Sequence, residues 1–270
     1  MTLSRNARLL LAAVTGLVLL VIYLPLGLVL VNSFNTSTSF TWPPSGFTTK
    51  WWDAAWHSAG ARDALALSLE VAAFATVISL VLGTMAALAL QRYRFFGRDA
   101  VSLLIILPIA LPGIVTGIAL QNAFTKILGI SLSFWTIVIA HATFCIVTVF
   151  NNAVARLRRV GGNLEEASMD LGAGTFTTFR LVTFPMLRSA LLAGGLLSFA
   201  LSFDEIIVTT FTAGAGSQTL PLWIFENMFR PNQAPVVNVV AAALIVLSIV
   251  PIWLAQRLSV DDEGLPTAAP

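Results

Sequence analysis

The chain has 270 residues, of which 57% are hydrophobic and 10% are charged, and its formal net charge is +2. Because an average soluble domain is far less apolar and carries more charge, this composition predicts an integral membrane protein. The small positive charge, without basic and aromatic residues interleaved on a soluble face, argues against nucleic-acid binding. The single cysteine, Cys145, excludes a disulfide framework and a metal cluster built from thiols.

Six apolar runs are long enough to cross a bilayer as helices, which takes roughly 20 residues each. They lack the alternation of barrel strands, so the sequence predicts an all-α membrane protein with six transmembrane helices. The first run is too long for the apolar part of a signal peptide, and we interpret it as a retained helix. In chain order the runs are approximately 9–31, 64–90, 101–122, 132–150, 187–211 and 236–254.

The distribution of basic residues predicts the orientation in the membrane. With a cytoplasmic N-terminus, the outer segments contain only four of the 15 lysines and arginines, which are Lys50, Arg62, Lys126 and Arg230. The positive-inside rule therefore predicts that both termini are cytoplasmic and that the connector at about 156–186 is cytoplasmic too. Residues 1–258 are predicted to form a single transmembrane domain, and residues 259–270 a disordered cytoplasmic tail.

Three internal runs contain residues that are unusual in a membrane. Glu70 lies about 10 Å into the second run at 1.5 Å per residue. Gly113 and Gly117 in the third run form a small-residue surface for helix packing, and two nearby prolines are expected to kink that run. His141 in the fourth run is interpreted as a hydrogen-bonded core residue rather than a proton relay or a ligand.

The connector after the fourth run contains its own helix signals. Asn163 and Glu166 have the spacing of an N-cap and its reciprocal N3 carboxylate, and Gly172 suits the left-handed residue that ends a helix. A second short helix is predicted from about Thr175 to Thr183, stopped near Pro185. The connector is thus predicted to be a helix-turn-helix that projects from the membrane.

Asp204 and Glu205 lie in the fifth run, where a charge costs a few kcal/mol even on lenient insertion scales. Hydroxyl residues recur around Glu205 at helical spacing, which places them on its face; they are Ser198, Ser202, Thr209 and Thr212. Because an acidic lining attracts cations, we predict a pathway for a cationic substrate. Its predicted lining residues are Glu70, Ser198, Ser202, Asp204, Glu205 and Thr209. The alternative is that the hydroxyls bond their own backbone and the acids cap or pair.

The connector also carries a specific resemblance. Glu166-Ala167-Ser168, then Gly172, then Val182-x-Phe184-Pro185 resembles the EAA loop of permease subunits in ATP-binding-cassette (ABC) importers. In that family the loop forms a coupling helix that seats in a cleft of the cytoplasmic ATPase. The resemblance implies a type I importer permease fold with cytoplasmic coupling helices. The coupling residues implied are Glu165, Glu166, Ala167, Ser168, Asp170, Gly172 and Pro185. The chain has no G-x-x-x-x-G-K-[ST] phosphate-binding loop, so ATP is expected on partner subunits and no cofactor on this chain.

The segment 202–212, with Gln218-Thr219-Leu220-Pro221 and Arg230-Pro231 after it, is similar to the permeases of spermidine/putrescine importers. The layout of the whole chain is similar to the second permease of those systems. The resemblance implies polyamine transport across a bacterial inner membrane. It implies as partners a second homologous permease, two ABC ATPase subunits, an extracytoplasmic substrate-binding protein and membrane lipid.

Three alternatives stay open at this point. A stand-alone secondary transporter or channel would not need a docking loop, and it would usually show an internal inverted repeat or more spans. An ABC permease for an amino acid, a sugar or iron would share the coupling loop. An intramembrane enzyme is disfavoured because no Ser/His pair and no metal-spaced histidine cluster accompanies His57 and His141, so we predict no catalytic residue and no metal site.

Overall fold

The computed structural model of the protein describes residues 4–38 and 42–260. These residues are helical, and apart from one isolated bridge between Asn35 and Phe47 no extended pairing occurs among them. The α-helices are α1 (Arg5–Asn32), α2 (Lys50–His57), α3 (Ala59–Arg92), α4 (Arg98–Ala110), α5 (Gly113–Asn122), α6 (Phe134–Val160), α7 (Asn163–Asp170), α8 (Thr175–Thr178), α9 (Phe184–Phe203), α10 (Ile207–Thr212), α11 (Leu220–Asn227) and α12 (Ala234–Val260). Two π-helical segments, Ala123–Ile127 and Phe179–Thr183, lie between them. The predicted all-α class is confirmed.

Four helical stretches are long and apolar enough to cross a membrane: α1, α3, α6 and Thr175–Phe203. The helix pair Arg98–Ala110 and Gly113–Ile127 makes a fifth if it is counted as one bent span. The sixth predicted run lies in α12, of which the stretch Ala234–Ser248 is fully described. Six spans and cytoplasmic termini therefore stay predictions.

The third predicted span, 101–122, is not one helix. It forms α4 and α5, whose axes differ by 108°. Leu111 between them is extended, with φ −85° and ψ 145°, and Pro112 follows it. Because proline lacks an N–H group and disfavours a helical residue before it, the helix ends there and a new one begins. The expected kink is a complete break.

The described chain forms two compact units. One unit contains the chain up to Arg62 together with the residues from Ile224 onward, and the other is Asp63–Trp223. The predicted single transmembrane domain, 1–258, stays a prediction. Of the predicted disordered tail, residues 259 and 260 belong to α12, and the rest lies outside the described residues.

In the first unit, the segment after α1 folds around Asn35. Its side-chain oxygen accepts hydrogen bonds from the Ser37 and Ser45 backbone N–H groups at 3.1 and 3.3 Å, and its carbonyl accepts from Trp51 Nε1 at 2.9 Å. Asn35 is only 1% exposed. This buried hub fixes the loop that leads into α2.

In the unit Asp63–Trp223, α6 forms the centre and α3, α9 and α10 pack on it. Small residues allow the close approach. A Cβ atom at Gly194 of α9 would lie 3.2 Å from Val149 Cα, and one at Gly83 of α3 would lie 2.9 Å from Val149 Cβ. At one end of α6, a buried cluster joins three helices: Ala87 and Leu90 from α3, Phe150, Ala153, Val154 and Leu157 from α6, and Leu187 from α9.

Candidate functional site

The hairpin between α6 and α9 consists of α7, a glycine turn and α8. After α7, Gly172 adopts φ +84°. The Gly172 N–H donates to the Met169 carbonyl at 2.9 Å, and the Ala173 N–H donates to the Ser168 carbonyl at 3.1 Å. This pair of bonds is the Schellman pattern that closes a helix with a left-handed residue. The expectation that Gly172 ends the first helix of the connector is confirmed.

The N-cap prediction for this helix is wrong. Gly162, not Asn163, precedes the first helical residue, and no side chain caps the helix. The Gly162 carbonyl already accepts the backbone N–H groups of Glu165 and Glu166, both at 3.0 Å. Because glycine is itself acceptable at an N-cap, the helix begins one position earlier and Asn163 becomes part of it.

The predicted stop at Pro185 is also wrong. α8 passes into the π segment Phe179–Thr183 and then directly into α9. In that segment the Phe184 N–H bonds the Phe179 carbonyl, five residues back. Pro185 follows in the first turn of α9, where a missing N–H is tolerated. The second arm of the hairpin is therefore continuous with a long apolar helix.

An ion pair ties α7 to the end of α3. Arg92, the last residue of α3, has its Nε 2.6 Å from Glu165 Oε2, and its Nη2 donates to Glu165 Oε1 at 2.9 Å. The same Nη2 donates to the Gly161 carbonyl at 3.2 Å. The Thr183 hydroxyl donates to Glu165 Oε1 at 2.8 Å. Glu165 thus joins three elements in one contact.

The other predicted coupling residues divide into two groups. Glu166, Ala167, Asp170 and Gly172 are exposed, as is Pro185 at the start of α9. Ser168 is half-buried, and its hydroxyl lies 3.1 Å from the Thr178 hydroxyl across the hairpin. Leu171 and Phe176 at the turn are 90% and 76% exposed. The hairpin therefore presents a surface of acidic and apolar groups that nothing in the described chain covers.

The second candidate region is a break in the fifth predicted span. α9 ends at Phe203, Asp204 follows as its C-cap, and α10 begins at Ile207. Glu205 lies inside the break, where its Oε1 accepts the Val208 backbone N–H at 2.8 Å. The prediction of one helical face through Glu205 is wrong, because that carboxylate starts a new helix instead of continuing the old one.

The hydroxyl residues predicted for the pathway still lie together, packed on α6. The two ring nitrogens of His141 contact the hydroxyls of Ser202 at 2.8 Å and Thr209 at 2.9 Å. The Ser198 hydroxyl donates to the Cys145 carbonyl at 3.2 Å. These residues are at most 2% exposed. The interpretation of His141 as a hydrogen-bonded core residue is confirmed, and pathway roles for the three hydroxyls stay predictions.

The acidic residues of the predicted pathway are more accessible. Asp204 is exposed and Glu205 is half-buried, both in the break. Glu70 is exposed on α3, two residues after the buried Ser68, whose hydroxyl accepts the Leu220 N–H at 2.7 Å. No hydrogen bond or ion pair joins Glu70 to Asp204 or Glu205 in the described chain. The structure thus groups Asp204 with Glu205 and leaves Glu70 on a different element.

Sequence reasoning assigned Arg92 only to membrane orientation and missed its contact with Glu165. The two residues are 73 positions apart, so no local pattern joins them. The sequence offers one signal for this contact. Arg92 is a basic residue at the end of an apolar run, and Glu165 is an acid next to the motif residue Glu166. Among the described residues, no group of three histidine, cysteine or acidic side chains could hold a metal ion.

Comparison with known proteins places these features in context. The sequence profile of a family described as "Binding-protein-dependent transport system inner membrane component" matches residues 79–259. The spermidine/putrescine transport system permease protein PotC of Escherichia coli (strain K12) is 36% identical over 241 residues, covering 89% of this chain and 90% of that protein. The putrescine transport system permease protein PotI of the same strain is 33% identical over 231 residues, covering 83% and 81%.

A solved structure shares the fold. It is the crystal structure of a bacterial ABC transporter involved in the import of the acidic polysaccharide alginate, of which one chain superposes with a TM-score of 0.71. The match covers 97% of this chain and 99% of that chain at 19% sequence identity. The fold is that of an ABC importer permease.

Proposed function

The chain belongs to the family of inner membrane components of binding-protein-dependent transport systems, and on this basis we propose that it forms one half of the pore of a polyamine importer. It is an ABC importer permease, a multi-pass protein of the inner membrane. The cargo that we propose is spermidine, putrescine or a similar small cation. ATP hydrolysis on partner subunits drives the transport, because the chain itself carries no phosphate-binding loop.

The observation that carries the coupling role is the continuity of the hairpin with α9. Beyond the glycine turn that follows α7, α8 and the π segment pass into a 20-residue helix, about 30 Å long, without a loop in between. We propose that Glu166, Ala167 and Asp170 contact an ATPase subunit, with Ser168 and Gly172 shaping the hairpin. The hairpin is then cytoplasmic, and so are both termini.

The assembly that we propose contains four further protein subunits. A second, homologous permease completes the pore, two ABC ATPases dock on the hairpins, and a substrate-binding protein delivers the cargo from outside. The family description itself refers to a binding protein. The relatives named above belong to spermidine/putrescine and putrescine systems, which supports a cationic cargo.

The break between α9 and α10 supports a cation pathway. Carbonyl groups at the C-terminus of a helix attract positive charge, and in many transporters such discontinuous helices surround the substrate. Here the end of α9 coincides with Asp204 and Glu205. Glu205 uses one carboxylate oxygen to hold α10, whereas no hydrogen bond from the described chain engages the Asp204 carboxylate. We therefore propose that Asp204 is the stronger ligand for an ammonium group.

Uptake by the purified transporter tests this proposal. The chain is assembled with its permease, ATPase and binding-protein partners in proteoliposomes, and uptake of radiolabelled putrescine and spermidine is measured with internal ATP. We expect ATP-dependent uptake that falls about tenfold in Asp204→Asn and in Glu205→Gln, because an ammonium contact is lost. The matched control is Asp99→Asn, an exposed acid at the start of α4, which should transport normally.

Three outcomes contradict parts of the proposal. Uptake without the ATPases would make the chain a stand-alone transporter. Transport of a neutral or anionic solute with no uptake of either polyamine would leave the permease role and remove the proposed cargo. Normal polyamine uptake by both acid variants would remove Asp204 and Glu205 from the pathway.

A further inference from the structure

The helix α7 lies between two glycine joints. Gly161 and Gly162 precede it, and Gly172 follows its last turn. Gly161 and Gly172 have positive φ angles of 73° and 84°, a region that only glycine enters without steric cost. An eight-residue helix attached through such joints has little intrinsic resistance to tilting. A load on its exposed face could be absorbed by rotation of the helix alone.

Packing does little to prevent that rotation. A cavity of about 520 Å³ lies between the end of α3 and the hairpin, lined by Leu88, Gln91 and Tyr93 on one side and by Met169, Thr175 and Phe179 on the other. The buried cluster at this end of the unit joins α3, α6 and α9 but includes no residue of α7. The helix therefore lies beside the core instead of being part of it.

Three polar contacts cross this gap and meet at Glu165. Arg92 provides two of them from the end of α3, and the Thr183 hydroxyl provides the third from the end of the π segment that leads into α9. The Arg92 and Glu165 side chains are only 23% and 12% exposed, so water screens the pair less than it screens a surface pair. The guanidinium makes one charge-assisted hydrogen bond through Nη2 and a close ion pair through Nε, and a charge-assisted bond is stronger than a neutral one.

We propose that Arg92 is a positioning residue that acts through Glu165 to hold α7 rigid between its glycine joints. With this clamp in place, a displacement of α7 moves α3 and α9 together. Without it, α7 tilts and the displacement is lost. α3 is a continuous 34-residue helix, about 50 Å long, so motion delivered at Arg92 reaches the far end of the helix.

This inference rests on the proposed coupling function, and charge exchange tests it in the assembled transporter. We expect Arg92→Glu and Glu165→Arg each to lower the ratio of polyamine uptake to ATP hydrolysis by about tenfold, within the usual range of coupling factors. The double variant Arg92→Glu/Glu165→Arg should recover most of that ratio. Arg94→Glu is the matched control, an exposed arginine two positions further on, and should keep the wild-type ratio. The amount of ATPase that co-purifies should be unchanged throughout.

A distance measurement tests the clamp without relying on transport of any cargo or on charge-reversed variants that could misfold. Spin labels on cysteines introduced at Ala89 of α3 and Met169 of α7 report their distance distribution in the same assembly. The isosteric Glu165→Gln should broaden that distribution relative to the wild type. The clamp is refuted if the distribution stays equally narrow, or if the double variant is no better coupled than the single ones. If the wild-type transporter takes up no polyamine but the distribution broadens as expected, the cargo proposal fails and the clamp survives.

Discussion

Both ring nitrogens of His141 are occupied by hydroxyl groups that lie on opposite sides of the break between α9 and α10. Ser202 belongs to the end of α9 and Thr209 to α10. The histidine therefore links α9 to α10 by hydrogen bonds where the helical backbone bonds are interrupted. The sequence alone predicts a hydrogen-bonded histidine, because an imidazole in an apolar run needs a partner. It does not predict the partners, which are 61 and 68 positions away.

We expect His141→Ala to lower the free energy of unfolding by about 1–3 kcal/mol, since the buried Ser202 hydroxyl loses its partner and the Thr209 hydroxyl keeps only the Glu205 carbonyl. Titration of the purified protein with sodium dodecyl sulfate in mixed micelles measures this change. The control is His57→Ala, because the other histidine is exposed on α2 and should have little effect. Equal stability of the two variants would contradict the bridging role of His141.

At the scale of elements, the contact between α5 and α10 depends on glycine. A Cβ atom at Gly117 would lie 2.6 Å from Phe211 Cδ2 and 3.2 Å from Phe211 Cβ. At Gly113, one turn earlier, the nearest atoms belong to Ile207 at 3.6 Å. The predicted packing role of these two glycines is confirmed, and the two positions differ sharply in the space they offer.

Gly117→Ala should therefore be destabilising, because overpacking costs about 1–3 kcal/mol and exceeds the roughly 1 kcal/mol that alanine gains over glycine in a helix. Gly113→Ala should be neutral or slightly stabilising, since 3.6 Å is an ordinary contact. The same detergent titration compares them. A Gly117→Ala variant as stable as Gly113→Ala would show that α10 yields easily at this contact.

The helix breaks mark the limit of prediction from periodicity. Hydroxyls around Glu205 keep helical spacing through the break, so the pattern alone indicates one continuous helix. The interruption contains a local contact that periodicity does not predict, in which the Glu205 carboxylate accepts the N–H of Val208, three residues on. The opposite error occurs at Pro185, where a local breaker is absorbed by a π turn. Apolar length and composition predicted the class of the elements, whereas their ends depend on backbone geometry at glycine and proline and on single side-chain contacts.

At the scale of the whole molecule, the proposed function makes the exposed face of α7 the docking surface for an ATPase. We expect Glu166→Arg to leave membrane insertion intact and to uncouple ATP hydrolysis from uptake, because a carboxylate on the docking surface is replaced by the opposite charge. Uptake per ATP hydrolysed should fall by about tenfold. The measurement uses the assembled transporter in proteoliposomes. Normal coupling in this variant would remove Glu166 from the ATPase contact.

The family and the position of the hairpin of α7 and α8 could be predicted from sequence, because the motif lies in one short segment and its spacing is specific. The clamp at Glu165 could not, since Arg92 reaches it only after α3 and α6 have packed side by side. The motif indicated Glu166 as the polar contact, and that glutamate is free for a partner. Its neighbour Glu165 instead makes contacts within the chain, with Arg92 and Thr183.

The reciprocal hydrogen bonds between Cys145 and Ser198 have a practical consequence. The only cysteine of the chain is fully buried, and its thiol donates to the Ser198 carbonyl at 3.3 Å. Thiol reagents should leave native Cys145 unmodified and react with cysteines that are introduced at the surface. Site-specific labelling therefore does not require that Cys145 be replaced first. The rate at which the wild-type protein is modified then reports how readily α6 separates from α9.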